Sequence, residues 1–480
     1  MGPYIQWFEP KSFYGFTLVG QSKVKIITGK KTNISDMWKQ ALALAPDLDT
    51  LGWPERSAEA EFASFAYQAS VRKTTTFSEI NEETKTRIMS IMTEDYPKFS
   101  NEYNDLESLL NNIRKQFLEI KLDSTPGIPY VLAYKKNKDI LENFNYQLEE
   151  IIKSRIFLIL SIDYDALLKM HPEDIVRKGL ADPVRLFIKN EPHKKDKLDN
   201  RRYRLIMSVS IADKVLEMVL TSGRKKTERV NWRTCPSKPG IGFDDAEAIP
   251  FFKRVNSFEN RVSSDVSAWD WLVREWMQIE DSKFTIKQCT NPFPEWEDLV
   301  RKMAIIESRS LYQFSDGNLA VLRDNDGCYY GNQNSGKYKT SMSNSSMRVR
   351  LALAVGSRHN DAMGDDLIET YVQDAEEKYK MLGMKVKAYD KFSGQFEFCS
   401  KIFTDKGPYP TSVVKPLMNL LHSDFDDSNQ YLGSLINFSE EIRHFPNKER
   451  LYDIIEKVGY NELVGAQIIL PEEECLDEDG

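Results

Sequence analysis

The tripeptide Gly364-Asp365-Asp366 places two carboxylates side by side, between segments that alternate apolar and polar residues. Neighbouring residues of a regular strand point to opposite faces, but a tight turn between two strands can bring both carboxylates near one cation. Taken alone, the tripeptide is better explained as an exposed turn. It therefore directs attention to other acidic residues that a sheet could bring close to it.

A second acidic segment, from Asp265 to Asp270, lies a hundred residues upstream. The alternation over 262–267 predicts a strand, from which Asp265 can face Asp365 across a sheet. Phosphoryl transfer of a nucleotide uses two Mg²⁺ ions about 3.5–4 Å apart, which carboxylates from two separate strands can hold. Asp265, Asp365 and Asp366 are thus candidate metal ligands. The alternative is a helix cap and a solvated surface carboxylate.

Several polar side chains near these carboxylates suit the sugar of a nucleotide. Asp270 would lie ~140° around a helix from the candidate metal ligand five residues before it, which favours a ribose contact. Ser335-Gly336 predicts a mobile turn beside a ligand, and Thr340 and Asn344 fall on one side of the following helix. Asn344 can donate to and accept from a sugar hydroxyl. A Ser/Gly turn with Ser and Asn capping is the alternative.

Charge is distributed unevenly along the chain, which has a net charge of −8. The last ten residues hold six acidic side chains and no basic one, whereas the segment 185–204 holds eight Lys and Arg against three Asp and Glu. Lys189, Lys197 and Arg204 of this basic segment can neutralise a triphosphate. On charge alone, a solvated loop is the alternative.

Composition excludes several classes of protein. No apolar run approaches the ~18 residues of a membrane-spanning helix, and the first residues do not form a signal peptide. The five cysteines lie far apart without a Cys-x-x-Cys pair, which argues against a zinc ribbon or a disulfide framework and favours a reducing compartment. The histidines are scattered as well, so a metal would be held by carboxylates.

The elements that must position these residues read as α+β, because antiparallel strands mix with helices. Strands are predicted around 262–267, 368–372 and 384–388. Helices are predicted over 85–120, 137–154 and Asn344–Val355. Another helix is predicted from Ile211 to about Ser222, with Gly223 ending it. The region after 403 is predicted to be mostly helical, notably over 430–443 and 449–457.

The order of these motifs resembles the RNA-dependent RNA polymerases of positive-strand RNA viruses, of the sobemovirus and polerovirus type within the picornavirus-like group. The segments 186–194 and 204–206 resemble the triphosphate-binding finger motif. Asp265…Asp270, Ser335…Asn344 and Gly364-Asp365-Asp366 resemble the first three palm motifs in order. His193 departs from the arginine usual in picornavirus-type enzymes.

Three shorter segments extend the resemblance over about residues 124–401. The segment 388–391 resembles the motif whose lysine protonates the departing pyrophosphate, a role that the resemblance gives to Lys391 or else to Lys387. The other two resemble the template-side loop and the primer-grip turn, and they supply six candidate template or primer contacts: Ser124, Pro126, Gly127, Cys399, Ser400 and Lys401.

The resemblance implies a right-hand polymerase with fingers, a palm built on an antiparallel ferredoxin-like sheet, and a helical thumb. The implied divisions are fingers 1–217, palm 218–277, a fingers insertion 278–321, palm 322–402, and thumb with acidic tail 403–480.

The implied function is template-directed RNA synthesis with two Mg²⁺ ions, for which Mn²⁺ can substitute. Implied partners are RNA template and product, NTPs, a genome-linked protein primer and other viral replication proteins, in host cytoplasm and at membranes only through partners. Initiation with a protein primer or de novo stays open. Rival interpretations are a reverse transcriptase, a non-catalytic RNA-binding scaffold and a metal-dependent nuclease. Asp270 and Asn344 argue against the first, the carboxylates against the second, and the Ser-Gly…Asn element against the third.

Overall fold

The computed structural model describes residues 4–26, 29, 32–238, 240–241 and 244–465. The acidic tail at 471–480, which the sequence analysis singled out, lies outside the described residues.

Strands in the described residues form several short sheets and two larger ones. The strands are β1 (Ile5–Phe13), β2 (Phe16–Ser22), β3 (Leu51–Gly52), β4 (Val184–Ile188), β5 (His193–Lys194), β6 (Leu205–Ser208), β7 (Arg261–Ser267), β8 (Tyr312–Gln313), β9 (Asn318–Val321), β10 (Arg323–Asp324), β11 (Gly327–Cys328), β12 (Asn360–Met363), β13 (Asp366–Thr370), β14 (Lys385–Lys391), β15 (Phe396–Phe398), β16 (Lys401–Phe403) and β17 (Pro408–Pro410).

Helices connect and cover these strands. They are α1 (Asp36–Leu44), α2 (Ala58–Thr74), α3 (Glu82–Asp95), α4 (Leu106–Phe117), α5 (Asn137–Asn143), α6 (Asn145–Ser161), α7 (Tyr164–Leu167), α8 (Pro172–Arg177), α9 (Lys195–Asp199), α10 (Ile211–Val230), α11 (Asp245–Asn256), α12 (Trp269–Leu272), α13 (Glu275–Gln288), α14 (Pro294–Ser308), α15 (Thr340–Val355), α16 (Ala375–Met381), α17 (Val414–Leu421), α18 (Ser428–Ile442), α19 (Lys448–Lys457) and α20 (Tyr460–Val464). No helix of this described part is long and apolar enough to cross a membrane.

A four-stranded antiparallel sheet in the order β12-β13-β7-β14 brings the two acidic segments together. Both β13 and β14 pair with β7, so the strand that carries Asp265 lies between them. Helices α15 and α16 cover one face of the sheet, where Val266, Met347 and Tyr379 share a buried apolar cluster. This antiparallel sheet with its helices confirms the α+β prediction.

A six-stranded sheet in the order β1-β2-β9-β8-β4-β6 joins segments that are remote along the chain. Its β4–β6 pair is antiparallel and carries the basic segment, with Ile188 opposite Leu205. Apolar residues of β4, β6 and β8 are buried with Phe65 of α2. The two ends of the basic segment therefore pair in a hairpin whose apolar side chains are buried, while most of the basic side chains between them are exposed.

The C-terminal helices α17 to α20 share one apolar core with α1 near the other end of the chain. Trp38 and Ala41 of α1 are buried with Leu417, Phe438 and Ile455 of the C-terminal helices. The segment that the resemblance assigns to the fingers thus packs partly against the predicted thumb, which ties the two ends of the described chain together.

Three predicted boundaries are wrong in detail. The helix that starts at Ile211 continues through Gly223, where glycine is used because an added Cβ would lie 2.9 Å from the carbonyl oxygen of Ser100. The helix predicted over 85–120 is two helices, α3 and α4. The region after 403 begins with the short strand β17 before α17.

Candidate active site

The Gly364-Asp365-Asp366 tripeptide forms the tight turn between β12 and β13, as its sequence predicts. Met363 pairs with Asp366 across this hairpin, and Gly364 has a φ of +67°, which favours glycine. Because β13 also pairs with β7, the turn lies beside Asp265. The structure thus brings the predicted carboxylates together at one end of the four-stranded sheet, which corresponds to the predicted palm sheet.

These carboxylates repel one another and are partly buried. Burial raises the pKa of Asp366 to about 7, with the charges of Asp365 and Asp265 adding to the shift. Burial likewise raises the pKa of Asp365, with a further contribution from Asp265. Oxygen ligands with excess negative charge are what a divalent cation such as Mg²⁺ prefers. The donor set therefore fits the metal, although among the described residues no three candidate ligands already converge on one point.

The lysine that contacts this cluster is Lys387. Its Nζ lies 2.6 Å from Oδ2 of Asp265, at a register shift in β14 between Val386 and Ala388. The structure places Lys391 elsewhere: it pairs with Val262, and its Nζ lies 3.5 Å from the centroid of the Tyr371 ring.

Lys387 and Lys391 lie on opposite faces of the four-stranded sheet. Residues directly opposite in an antiparallel pair share a face, so Lys391 lies on the face of Val262. Asp265 is three residues from Val262 and points to the other face, about 10 Å along the strand. The structure therefore does not support the expected role of Lys391 next to the leaving pyrophosphate, and it favours the alternative, Lys387.

We expect Lys387→Ala to slow nucleotide incorporation roughly a hundredfold, the usual cost of removing one charged donor from a reacting phosphate. Lys391→Ala should change the rate by less than about threefold, because its side chain lies on the other face. Single-turnover incorporation at saturating NTP measures both. A larger loss for Lys391→Ala would restore the role that the resemblance gives to that residue.

The buried Asn344 and the half-buried Asp270 form a pair beside the carboxylates. Nδ2 of Asn344 donates a hydrogen bond of 3.2 Å to Oδ1 of Asp270, while Oδ1 of Asn344 is buried without a hydrogen-bond partner in the described structure. Burial raises the pKa of Asp270 to about 7, and the charge of Asp365 adds to the shift. An unpaired buried acceptor next to a carboxyl group suits a ligand hydroxyl.

The Ser335-Gly336 turn packs against β6 rather than standing free. The amide of Gly336 donates to the carbonyl oxygen of Met207, and Oγ of Ser335 accepts from the amide of Met207. A Cβ at Gly336 would lie 2.5 Å from that carbonyl oxygen. The hydroxyl of Thr340 turns back to the carbonyl oxygens of Asn334 and Lys337, so Thr340 stabilises the turn.

Two buried glutamates anchor the rest of this loop. Oε2 of Glu217 accepts a 2.6 Å hydrogen bond from the amide of Tyr338. Oε2 of Glu307 lies 3.2 Å from Nζ of Lys337 and 2.9 Å from Nζ of Lys339. A small cavity of about 20 Å³ lies beside Glu217 and Glu307, lined by residues of α10, α13, α14 and α15. Sequence analysis missed both glutamates, because neither belongs to a motif.

The anchor of this loop predicts a pH dependence of stability. Burial raises the pKa of Glu217 to about 7, with the charge of Glu307 adding to the shift, against the attraction of Lys339 and Lys337. Between about pH 4.5 and 7 the folded chain therefore keeps a proton that the unfolded chain releases. Stability from this group is present below that window and is lost as the pH rises through 7.

Glu217→Gln keeps an acceptor for the amide of Tyr338 but cannot ionise. We expect the melting temperature of this variant, relative to the parent, to rise between pH 5 and pH 8. Melting curves in matched buffers measure the difference. A difference that is the same at both pH values would contradict the raised pKa.

The basic segment gathers three cations around one carboxylate. Oε2 of Glu191 lies 3.0 Å from Nζ of Lys189 and 2.6 Å from Nζ of Lys415 in α17, and Oε1 lies 3.4 Å from Nη1 of Arg204. Burial opposes ionisation, but hydrogen bonds from Lys415 and Lys189 lower the pKa of Glu191 to about 2. Burial, with the nearby charge of Lys387, lowers the pKa of Lys197.

His193 has a structural role in this hairpin. Its Nε2 accepts a hydrogen bond from the amide of Arg204, so Nδ1 donates to the carbonyl oxygen of Glu191. Burial lowers the pKa of the imidazole. A neutral imidazole with both nitrogens in hydrogen bonds to the backbone cannot supply the positive charge of the arginine that is usual at this position.

The predicted template-side loop lies at the N-terminus of α10. The carbonyl oxygen of Pro126 accepts from the amide of Ile211, and a Cβ at Gly127 would lie 2.8 Å from Cα of Ser210. The carbonyl oxygen of Ser124 accepts from the amide of Asn137. The close backbone approach explains the glycine, whose φ is +73°.

The predicted primer-grip turn joins β15 to β16 and reaches the carboxylates. Cys399 and Ser400 both have positive φ, at 52° and 58°. The thiol of Cys399 contacts Asp366, and burial together with that charge raises the pKa of the thiol. Nζ of Lys401 lies 3.6 Å from Glu441 of α18, which joins the turn to the C-terminal helices.

Known proteins resemble this chain along most of its length. The family described as viral RNA-directed RNA-polymerase matches residues 36–250 and 278–437. Protein P2-P3 of Poinsettia latent virus is 32% identical over 88% of this chain and 40% of its own length. Replicase polyprotein P2AB of Southern cowpea mosaic virus is 31% identical over 85% of this chain and 43% of its own length. The chain thus spans less than half the length of these relatives.

The fold resembles that of solved polymerases. The Sicinivirus 3Dpol RNA dependent RNA polymerase superposes with a TM-score of 0.60 at 14% identity, over 90% of this chain and 98% of that one. This likeness confirms the right-hand polymerase fold, and the relatives confirm the predicted resemblance to sobemovirus and polerovirus polymerases. The chain belongs to the viral RNA-directed RNA-polymerase family.

Proposed function

We propose that this chain synthesises RNA on an RNA template, as the polymerase part of a positive-strand plant virus replicase. The observation that supports this most directly is the meeting of Asp265 and the Asp365-Asp366 turn on neighbouring strands, next to the Asp270–Asn344 pair. Metal ligands and a hydroxyl-binding pair at one edge of a palm sheet match the needs of nucleotidyl transfer from a ribonucleotide.

Each group has a role in this proposal. Asp265, Asp365 and Asp366 would hold two Mg²⁺ ions, with Mn²⁺ as a substitute, and bound ions would activate the attacking 3′-hydroxyl and neutralise the leaving pyrophosphate. Lys189, Lys197 and Arg204 would bind the triphosphate. Lys387 would contact the pyrophosphate from β14. The nucleophile would be an RNA 3′-hydroxyl or the hydroxyl of a protein primer.

The remaining assignments belong to the same proposal. Asp270 and Asn344 would bind the ribose, and the Ser335-Gly336 turn would shape the nucleotide site. We assign 218–277 and 322–402 to the palm, 1–217 and 278–321 to the fingers, and 403–480 to the thumb and tail, with α1 bridging fingers and thumb. Six residues would line the path of template and primer: Ser124, Pro126, Gly127, Cys399, Ser400 and Lys401.

The partners in this proposal come from the relatives. Southern cowpea mosaic virus carries its matching segment within a replicase polyprotein, so we propose that this chain works with other viral replication proteins and a genome-linked protein primer. The site of action would be replication complexes in the host cytoplasm, with membranes reached through partners.

The experiment is incorporation of labelled NTPs by the purified chain on a primed RNA template with Mg²⁺. We expect a template-length product that requires NTPs and fails with dNTPs. Preference for dNTPs would indicate a reverse transcriptase. Tight RNA binding that neither Mg²⁺ nor Asp365→Ala alters, without synthesis on primed or unprimed templates, would indicate a scaffold.

A further inference from the structure

Helix α15 carries two buried arginines that face in different directions. Arg348 is fully buried and Arg350 is 1% exposed. Nη1 of Arg350 lies 3.8 Å from Oε2 of Glu280 in α13, and its Nη2 donates to the carbonyl oxygen of Glu280. Arg348 points instead toward the palm sheet, where its guanidinium lies 4.7 Å from the centroid of the Tyr379 ring.

The hydrogen bonds of Arg348 connect both strands that carry the carboxylates. Its Nε donates a 3.2 Å hydrogen bond to the carbonyl oxygen of Asp365, and its Nη2 donates a 2.5 Å hydrogen bond to Oγ of Ser264. Ser264 directly precedes Asp265 in β7. One rigid guanidinium therefore spans from the Asp365 turn to the neighbouring strand.

The same helix holds the turn at a second point. Oγ of Ser345, nearly one helical turn before Arg348, accepts a 2.9 Å hydrogen bond from the amide of Gly364. The turn is thus fixed on both sides of its glycine by a helix that is itself buried. A Cβ added at Gly364 would have no heavy atom within 4 Å, so steric crowding of a side chain does not account for the glycine there.

The charge of Arg348 has an electrostatic effect at this place. Burial raises the pKa of Glu369, the positive charge of Arg348 opposes that shift, and the hydroxyl of Tyr379 donates to the same carboxylate. No carboxylate of the described residues forms an ion pair within 4.0 Å of Arg348, in contrast with Arg350. Beyond its charge, Arg348 adds geometry, because a planar group with donors on two sides fixes the distance between the carbonyl oxygen of Asp365 and the hydroxyl of Ser264.

We propose that Arg348 is a positioning residue that sets the separation of Asp265 and Asp365 for divalent metal binding. The inference rests on the proposed function, in which these carboxylates are the metal ligands. Residues that orient metal ligands without touching the metal commonly affect affinity tenfold to a hundredfold.

The test is binding of Mn²⁺ alone to the full chain, measured by the electron paramagnetic resonance signal of free Mn²⁺. We expect Arg348→Lys to weaken binding about tenfold. Ser264→Ala, which removes one partner and leaves the arginine, should weaken it about threefold, a smaller effect in line with the loss of one hydrogen bond. Arg350→Lys is the matched control, because it alters an equally buried arginine that faces α13.

Melting temperatures without metal show whether the variants lose comparable stability. Unchanged Mn²⁺ affinity in both Arg348→Lys and Ser264→Ala would overturn the inference, and so would an equal loss in Arg350→Lys. Asp365→Asn distinguishes an error in the proposed metal site from an error in the proposed role of Arg348. If that variant binds Mn²⁺ as tightly as the parent, the proposed metal site itself is wrong. If it loses binding while both Arg348→Lys and Ser264→Ala keep it, only the positioning role is wrong.

Discussion

Asp365→Asn should lower RNA synthesis by about three orders of magnitude or more while the chain stays folded. The amide keeps the size of the carboxyl group but removes the charge that would hold a divalent ion. Losing several kcal/mol of charge stabilisation at the reacting phosphate corresponds to a loss of this size. Initial rates on a primed RNA template at saturating NTP and Mg²⁺ measure it.

Thermal unfolding separates this loss from misfolding. Burial and the neighbouring charges raise the pKa values of Asp365 and Asp366, so removing one charge relieves repulsion in the metal-free protein. We therefore expect the melting temperature of Asp365→Asn in EDTA to equal or exceed that of the parent. Asp453→Asn, on the exposed face of α19, is the control and should leave synthesis unchanged. Synthesis by Asp365→Asn above a tenth of the parent rate would contradict the assignment.

Asp270→Ala should reduce the preference for ribonucleotides over deoxyribonucleotides roughly tenfold to a hundredfold. The half-buried Asp270 accepts a hydrogen bond from the buried Asn344, whose Oδ1 lacks a partner in the described structure. A 2′-hydroxyl would satisfy this pair, whereas a deoxyribose would leave it unpaired. An unpaired buried polar group costs about 1–3 kcal/mol, which corresponds to the expected change.

The measurement is kcat/KM for one NTP and its matching dNTP on the same template. The value for the NTP should fall in Asp270→Ala, while the value for the dNTP stays nearly constant. Asn360→Ala removes another buried amide, bonded to Ser357 at the far end of β12, and should keep the preference. Equal losses for both nucleotides would mean that Asp270 supports the structure rather than the choice of sugar.

The sequence alone was enough to predict the family, the α+β architecture and the turn that carries Asp365. These features depend on local signals: alternation of apolar and polar residues marks strands, and the Gly-Asp-Asp tripeptide between alternating segments marks the hairpin. The order of the motifs along the chain does not depend on how the chain packs. The strand partners of Asp265 could also be expected, because a palm sheet requires two acidic strands side by side.

Other features depend on contacts between distant segments. No local pattern shows that α1 packs into the core of the C-terminal helices, or that Gly223 lies inside a helix because Ser100 approaches it. The pairing of Glu217 and Glu307 with the Ser335-Gly336 loop is also decided by packing. Each of these joins residues that are 30 or more positions apart along the chain.

The two lysines Lys387 and Lys391 of β14 show most clearly what could not be predicted from the sequence. The resemblance favours Lys391, but a shift in register between Val386 and Ala388 puts Lys391 opposite Val262, on the face away from Asp265, whereas Lys387 contacts Asp265. The sequence by itself determined which residue types are available and in which order they occur. Only the tertiary structure decided which of them meet, because one residue of strand register exchanges the two faces of a sheet.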